Sequence, residues 1–114
     1  VEYGRRRAGE LGLSERVTFK RQSVEAFLRE GTLRETVLLD PPRSGSRPTA
    51  ESCRPEEVRR IVYVSCNVAT LARDVKILAD SGYELEHVSV IDMFPHTQHI
   101  ETVAVLSACD SERG

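Results

Sequence analysis

The sequence predicts an α/β fold with a mostly parallel β-sheet and an antiparallel hairpin at one edge. Three apolar, β-branched runs predict buried strands, and each stops abruptly at polar residues that can do chemistry. These runs lead into Asp40, Cys66 and His96. A clear helical pattern separates the second run from the third, so strands and helices alternate. Side chains that follow parallel strands meet at the carboxyl edge of such a sheet, where active sites are built.

Composition limits the classes of protein that the chain can represent. It has 114 residues, 39% of them hydrophobic, which fits one domain with a real core. No apolar run approaches the length of a membrane span. The net charge of −2 gives no sign of the basic surface that nucleic-acid-binding proteins carry. Three cysteines, without metal-type spacing, argue against a disulfide framework and favour a reducing, cytoplasmic setting.

The first third of the chain predicts three short elements. Residues 2–12 read as a charged helix that Gly12 ends. Residues 17–20 alternate apolar and polar side chains and predict a short strand. Residues 24–29 predict a short helix closed by Gly31. Because the chain opens with Val1 directly in charged helical sequence, we expect it to be a fragment of a longer protein.

The middle of the chain predicts two buried strands, at residues 35–40 and 61–65. Between them, residues 43–50 are rich in serine, arginine, proline and glycine and predict a loop. Residues 51–60 are weakly helical, and Pro55 limits that helix.

The last part of the chain predicts a helix and a hairpin. Residues 68–81 repeat apolar side chains at helical spacing, with Asn67 as a natural N-cap and Gly82 at the end. Residues 83–91 and 101–107 predict two extended strands. We expect these strands to pair antiparallel and to form the edge of the sheet.

The most informative candidate is Cys66, which ends a strand and precedes the N-cap of a helix. Amides and the dipole at a helix N-terminus stabilise an anion and therefore favour a nucleophilic thiolate. The alternative is a buried, inert cysteine. A cysteine at a strand end is compatible with both readings. Its place directly before a helix N-cap favours a functional thiol.

Other polar residues carry weaker signals. Asp40 precedes two prolines, a rigid turn that suits a flat ligand, although a lone Asp-Pro-Pro is more often a strand terminator. Arg43 could reach a phosphate or lie in solvent. Glu101 suits a general base if partly buried, whereas a solvent-facing glutamate is the more frequent case. His96 and His99 lack a third ligand, so we expect hydrogen bonds within the loop and no metal site.

The motifs together resemble the C-terminal half of the RNA uracil-C5 methyltransferases, which make 5-methyluridine. The resemblance covers nearly the whole chain and rests on the order and spacing of four segments. These are residues 39–45 (LDPPRSG), 61–67 (IVYVSCN), 69–74 (ATLARD) and 92–101 (DMFPHTQHIE).

The resemblance implies the C-terminal portion of a single Rossmann-like class I methyltransferase domain over residues 1–114. It implies S-adenosylmethionine as methyl donor and RNA as substrate. Cys66 would add to C6 of uracil, Glu101 would remove the C5 proton, and Asp40 would contact the donor. Arg43, in place of an aromatic residue, argues against the related enzymes that methylate exocyclic amines. The version of the motif at residues 93–97 favours ribosomal RNA over tRNA.

Some parts of the family pattern have no counterpart in this chain. The Gly-rich cofactor loop, the acidic residue after the second strand and the RNA-binding portions would all lie upstream. Val68 stands where the family usually has proline, a position that tolerates valine. We therefore expect the isolated chain to be inactive.

Two other readings stay open. The chain could be an inactive remnant that serves as a folded or interaction module, or a metal-binding domain that uses Cys66, His96 and His99. The sequence does not indicate an oligomeric state.

Overall fold

The computed structural model describes residues 2–19, 22–29, 35–92 and 100–109. Residues 1–30 form one compact unit and residues 31–114 another. Among the described residues, no helix has both the length and the apolar character needed to cross a membrane.

The first unit contains helices α1 (Glu2–Glu10) and α2 (Val24–Arg29). Both confirm the predicted helices, and Gly31 lies outside the described residues. Gly12 has a φ of 72°, and the Leu13 and Gly12 amides donate to the carbonyls of Ala8 and Gly9. This is a Schellman ending, which satisfies carbonyl groups that the last turn of a helix leaves free.

The predicted strand at residues 17–20 is wrong for the part that is described. Residues 17–19 have no strand pairing, and the Val17 amide donates instead to the Leu13 carbonyl in a turn. The alternating pattern suits a strand, but a strand also needs a neighbour that accepts its backbone hydrogen bonds. All four described strands belong to the second unit.

The second unit is built on a mixed sheet of four strands in the order β1-β2-β4-β3. They are β1 (Thr36–Leu39), β2 (Arg60–Ser65), β3 (Tyr83–Asp92) and β4 (Ile100–Ala108). The α/β class and the antiparallel hairpin of β3 and β4 are confirmed. Within the described residues, one pairing is parallel and two are antiparallel, because β4 lies between β2 and β3. The antiparallel part is therefore larger than an edge hairpin alone.

The sequence predicted a loop over residues 43–50 and a weak helix over residues 51–60. The structure instead has a short helix across the boundary between these two segments. This helix, α3, covers Arg47–Ser52. Pro48 lies in its first turn, where a missing amide proton costs little, and Cys53 caps its C-terminus. Pro48 is thus a signal for the start of a helix, whereas the sequence prediction places it in a loop.

Helix α4 (Val68–Asp80) confirms the best predicted helix of the chain. The Asn67 side chain accepts a hydrogen bond from the Ala69 amide, so Asn67 is the N-cap. α4 packs against α3, β2 and β3. One face of the sheet meets these helices, and it supplies fully buried side chains such as Ile61, Tyr63 and Leu106.

Proline should be accepted at position 68. Asn67 has φ −138° and ψ 106°, the extended region that proline requires of the residue before it. Proline at the first helical position also removes an amide that needs no helical partner. We expect Val68→Pro to leave the free energy of unfolding unchanged or raise it by up to about 1 kcal/mol. Ala72→Pro, inside α4, should lower it by about 3 kcal/mol or more in the same denaturant titration. A comparable loss in both variants would contradict the cap geometry.

Stability should fall at alkaline pH because of Cys53. Burial raises the pKa of the Cys53 thiol from 9.0 to about 11. Between these values the unfolded state has lost a proton that the folded state retains, so the free energy of unfolding decreases as pH rises. Burial also raises the pKa values of Tyr63 and Tyr83, with the same sign.

The contribution of Cys53 can be isolated by urea unfolding of Cys53→Ala across pH 9 to 11. The variant should show a shallower decline than the parent chain. Cys109→Ala, which changes an exposed thiol, should keep the parent slope. Equal slopes in all three proteins would show that Cys53 does not contribute.

Candidate functional site

Three predicted site residues lie at one edge of the sheet. β1 and β2 are parallel, so Asp40 and Cys66 follow strand ends on the same side. β4 runs the opposite way, and its first residues, including Glu101, therefore start at that edge. The sequence predicted that Asp40 and Cys66 follow parallel strands. Glu101 lies at the same edge because β4 is antiparallel to β2 and pairs with it.

The register places Cys66 and Glu101 directly beyond the same residue pair, on neighbouring chain segments. Ser65 pairs with Thr102, Cys66 follows Ser65, and Glu101 precedes Thr102 on the adjoining strand. Neighbouring strands are about 5 Å apart. Cys66 is exposed, so the alternative reading was wrong to place this cysteine in the interior.

Glu101 is partly buried, and its Oε2 atom is fully shielded from solvent. Among the described residues, no group donates a hydrogen bond to this oxygen. A buried acceptor without a donor is costly, because it loses its hydrogen bonds to water and gains none in return. The arrangement suits a carboxylate oxygen that accepts a hydrogen bond from a ligand.

A tight turn holds Cys66 in place. The Ser65 hydroxyl donates to the Asn67 carbonyl at 2.8 Å and accepts from the Asn67 amide at 3.0 Å. Asn67 then caps α4 through Ala69. The backbone on both sides of Cys66 is thus fixed, while its side chain stays open to solvent.

The loop of residues 40–46, called here the Asp40–Ser46 loop, is fastened to the N-terminal half of α4. The Arg43 carbonyl accepts hydrogen bonds from Asn67 Nδ2 at 3.1 Å and Thr70 Oγ1 at 3.0 Å. Arg73 Nη2 donates to the Ser44 carbonyl at 2.9 Å. The segment that carries Asp40 and the helix that follows Cys66 are therefore joined directly.

Asp74 completes this junction and is a residue whose importance sequence reasoning missed. Its side chain is fully buried. Asp74 Oδ2 accepts from the Ser46 amide at 2.7 Å and from the Tyr63 hydroxyl at 2.5 Å, and Oδ1 accepts from Arg73 Nε at 3.0 Å. Burial, and then the Asp74 carboxylate, raise the pKa of the Tyr63 phenol. A possible signal was an acidic residue on the apolar side of α4, three positions after Leu71.

Of the remaining candidates, the structure describes Arg43 alone. The Arg43 side chain is exposed, and only its carbonyl is tied to α4. His96 and His99 lie outside the described residues. Within the described ranges, no group of three or more histidine, cysteine or acidic side chains could hold a metal ion. A cleft of about 390 Å³ belongs to the first unit, where Arg5, Ser14 and Phe19 are among the lining residues.

Comparison with known proteins identifies the family. The model of the tRNA (uracil-5-)-methyltransferase family matches residues 11–109. The chain belongs to this family. The resemblance inferred from the four sequence segments is thereby confirmed.

Curated relatives agree with the family match. A 23S rRNA (uracil(1939)-C(5))-methyltransferase of Hahella chejuensis is 56% identical over 71 residues, which are 62% of this chain and 16% of that protein. The protein of the same name from Pectobacterium atrosepticum is 42% identical over 92% of this chain and 24% of its own length. An uncharacterized RNA methyltransferase of Bacillus cereus is 42% identical over 74% of this chain and 18% of its own length.

The chain spans only about a sixth to a quarter of the length of these curated relatives. A solved structure, that of M1.HpyAVI, has a TM-score of 0.48 and 13% identity, and covers 74% of this chain and 48% of the other.

Gly45 should be the least replaceable residue of the Asp40–Ser46 loop. Its φ is 82°, and an added Cβ would lie 2.7 Å from both Arg73 Nη2 and Asp74 Oδ2. Gly12 also has a positive φ, but a Cβ there would meet nothing within 4 Å. The left-handed backbone costs an alanine about 1–2 kcal/mol at either position.

We therefore expect Gly45→Ala to lower the free energy of unfolding by about 1–3 kcal/mol more than Gly12→Ala, because overpacking adds to the backbone cost. Denaturant unfolding of both variants measures this difference. Equal losses would mean that the loop does not lie against α4 as described.

Proposed function

We propose that this chain is part of an enzyme that methylates C5 of uracil in RNA through a covalent cysteine adduct. Family membership and the names of the curated relatives support the reaction class. Ribosomal RNA is the favoured substrate over tRNA, because relatives matched over most of this chain are named for 23S rRNA. The observation that carries the proposal is the strand register that places the exposed Cys66 next to Glu101, whose Oε2 atom is buried and has no hydrogen-bond partner among the described residues.

The chemistry requires both groups. C5 of uracil is a poor nucleophile, so addition of the Cys66 thiolate to C6 is needed to make C5 electron-rich. Once C5 carries the new methyl group, Glu101 accepts the C5 proton, the C5–C6 double bond re-forms and the Cys66 thiolate leaves. Glu101 must therefore reach the same base as Cys66, which the adjoining ends of β2 and β4 allow.

S-adenosylmethionine, when bound, supplies an electrophilic methyl group. The residues at this edge fit such a ligand, because the exposed carboxylate of Asp40 offers acceptors to a group that carries hydroxyls, an amine and a positive charge. We assign Asp40 to donor binding. The rigid Pro41–Pro42 turn after it presents few competing donors.

The enzyme as a whole is proposed to contain further parts that supply the Gly-rich loop and the RNA-binding surface. Residues 1–114 would then be the C-terminal portion of one catalytic domain, inactive by themselves and cytoplasmic in the intact protein. The alternative is an inactive remnant that acts as a folded or interaction module. The exposure of Cys66 beside Glu101 favours the enzyme, since an interaction module has no need of this pair.

A trapped adduct tests the roles of both residues. In the full-length protein, Glu101→Gln should permit attack and methylation but stall release, so a protein–RNA adduct should accumulate and survive denaturing electrophoresis. Cys66→Ala should form no adduct and no methylated RNA, and the double variant should behave like Cys66→Ala. Cys109→Ala, which changes another exposed thiol, is the matched control and should behave like the parent.

Two outcomes would contradict the assignment. Free methylated product at the normal rate from Glu101→Gln, without adduct, would exclude Glu101 as the base. Substantial turnover by Cys66→Ala would exclude the covalent route.

A further inference from the structure

Asp74 is a buried acidic residue that the proposed reaction does not use. It lies in the second turn of α4, and its side chain has no exposed surface. Removing a carboxylate from water costs several kcal/mol unless hydrogen bonds replace the lost solvation. A buried apolar residue would avoid this cost, so the position of Asp74 in the core calls for a reason beyond packing.

The hydrogen bonds of Asp74 connect three parts of the second unit. Ser46 belongs to the Asp40–Ser46 loop, Tyr63 to β2, and Arg73 to α4. Arg73 also donates to the Ser44 carbonyl, so the loop is held at two positions around Gly45. Ser46, Tyr63 and Arg73 each donate a hydrogen bond to Asp74, and a carboxylate has two acceptor oxygens that serve all three.

This junction lies between the two segments that carry the proposed chemistry. Asp40 begins the fastened loop, and prolines at 41 and 42 leave little torsional freedom before the anchored residues. Tyr63 lies three residues before Cys66 on β2. A shift of the loop at Asp74 would therefore move Asp40 relative to the strand end that presents Cys66.

We propose that Asp74 is a positioning residue, which fixes the Asp40–Ser46 loop against β2 and α4 and thereby sets the affinity of the site for the methyl donor. The inference rests on the proposed function, because it takes Asp40 as a donor-binding residue. Asp74 acts through the loop and does not touch the ligand or the reacting atoms.

The informative substitution is Asp74→Asn. The asparagine side chain has the same shape as aspartate. Its Nδ2 group, however, donates hydrogen bonds and would face a protein group that also donates. Arg73→Gln is the second variant, since the Arg73 side chain is 40% exposed and its loss spares the core. Asp80→Asn is the matched control, because Asp80 is an exposed acid on the same helix, paired with Lys76.

The first measurement is hydrogen exchange of the full-length protein without ligand. The Ser46 amide donates to Asp74, and the Gly45 amide donates to the Pro42 carbonyl. Both should exchange at least about tenfold faster in Asp74→Asn and Arg73→Gln, whereas the Leu71 and Cys109 amides should be unchanged. Faster exchange of all four amides would indicate a general loss of stability and would overturn the proposal.

The second measurement separates positioning from folding in the same variants. Titration calorimetry with S-adenosylmethionine should give a Kd raised about tenfold, and the KM for the donor should rise with it, while kcat at saturating donor stays near the parent value. A purely structural role would reduce the active fraction and hence kcat, and would leave Kd and KM unchanged. Unchanged Kd and KM in a folded variant would overturn the proposal. If Asp74→Asn does not fold, Arg73→Gln decides the question.

Two further variants show which idea has failed. Asp40→Asn should also raise the Kd for S-adenosylmethionine, and Cys66→Ala should abolish methyl transfer without changing that Kd. If Asp40→Asn binds normally, the donor assignment in the proposed function is wrong. If Asp40→Asn and Cys66→Ala behave as expected and only the Asp74 and Arg73 variants bind normally, the positioning role alone is wrong.

Discussion

The hydrogen bonds around the Asp74 carboxylate are the constraint on which the arrangement of the second unit depends. They bring together a loop, a strand and a helix that are distant in the sequence: Ser46 is 28 residues from Asp74, and Tyr63 is 11 residues from it. Apolar packing alone would hold α4 on the sheet but would leave the position of the loop free, since the hydrophobic effect has no direction. Directed hydrogen bonds from a rigid helix give the loop one position.

Such a junction has an energetic cost that apolar packing does not have. A buried charge needs every one of its hydrogen bonds, and a partly satisfied network is worse than an apolar core. Asp74 meets this requirement through Ser46, Tyr63 and the half-exposed Arg73. Gly45 is needed for this arrangement, because its backbone passes so close to Arg73 and Asp74 that a side chain would have no room.

At the edge of the sheet where β1 and β2 end and β4 begins, a carboxylate is incompletely hydrogen-bonded among the described residues. Glu101 Oε2 is buried without a donor among the described residues, and the exposed Cys66 lies on the neighbouring strand end. A buried acceptor without a donor lowers stability, and a ligand that donates a hydrogen bond would remove this cost. The fold therefore separates two tasks. The hydrogen-bonded Asp74 carboxylate fixes the position of the loop, and at the strand ends the Glu101 Oε2 atom has no donor among the described residues.

The sequence by itself determined the elements whose signals are local. The apolar runs gave β1 and β2, helical spacing and Asn67 gave α4, and the last two extended segments gave the hairpin. It also indicated the residues that are proposed to do chemistry, because thiols and carboxylates after strand ends are visible in the pattern. It failed at residues 17–19, where a strand pattern has no partner to pair with, and at α3, where Pro48 begins a helix.

Only the tertiary structure decided which of these residues meet. The place of β4 between β2 and β3 brings Glu101 next to Cys66, and no local preference specifies which strand is inserted there. The role of Asp74 was equally hidden, since an acidic residue in a helix normally faces solvent. Its burial follows from donors on Ser46 and Tyr63, which approach it only after the chain has folded. Local sequence sets the conformation of each segment, whereas long-range contacts set the neighbours of each side chain.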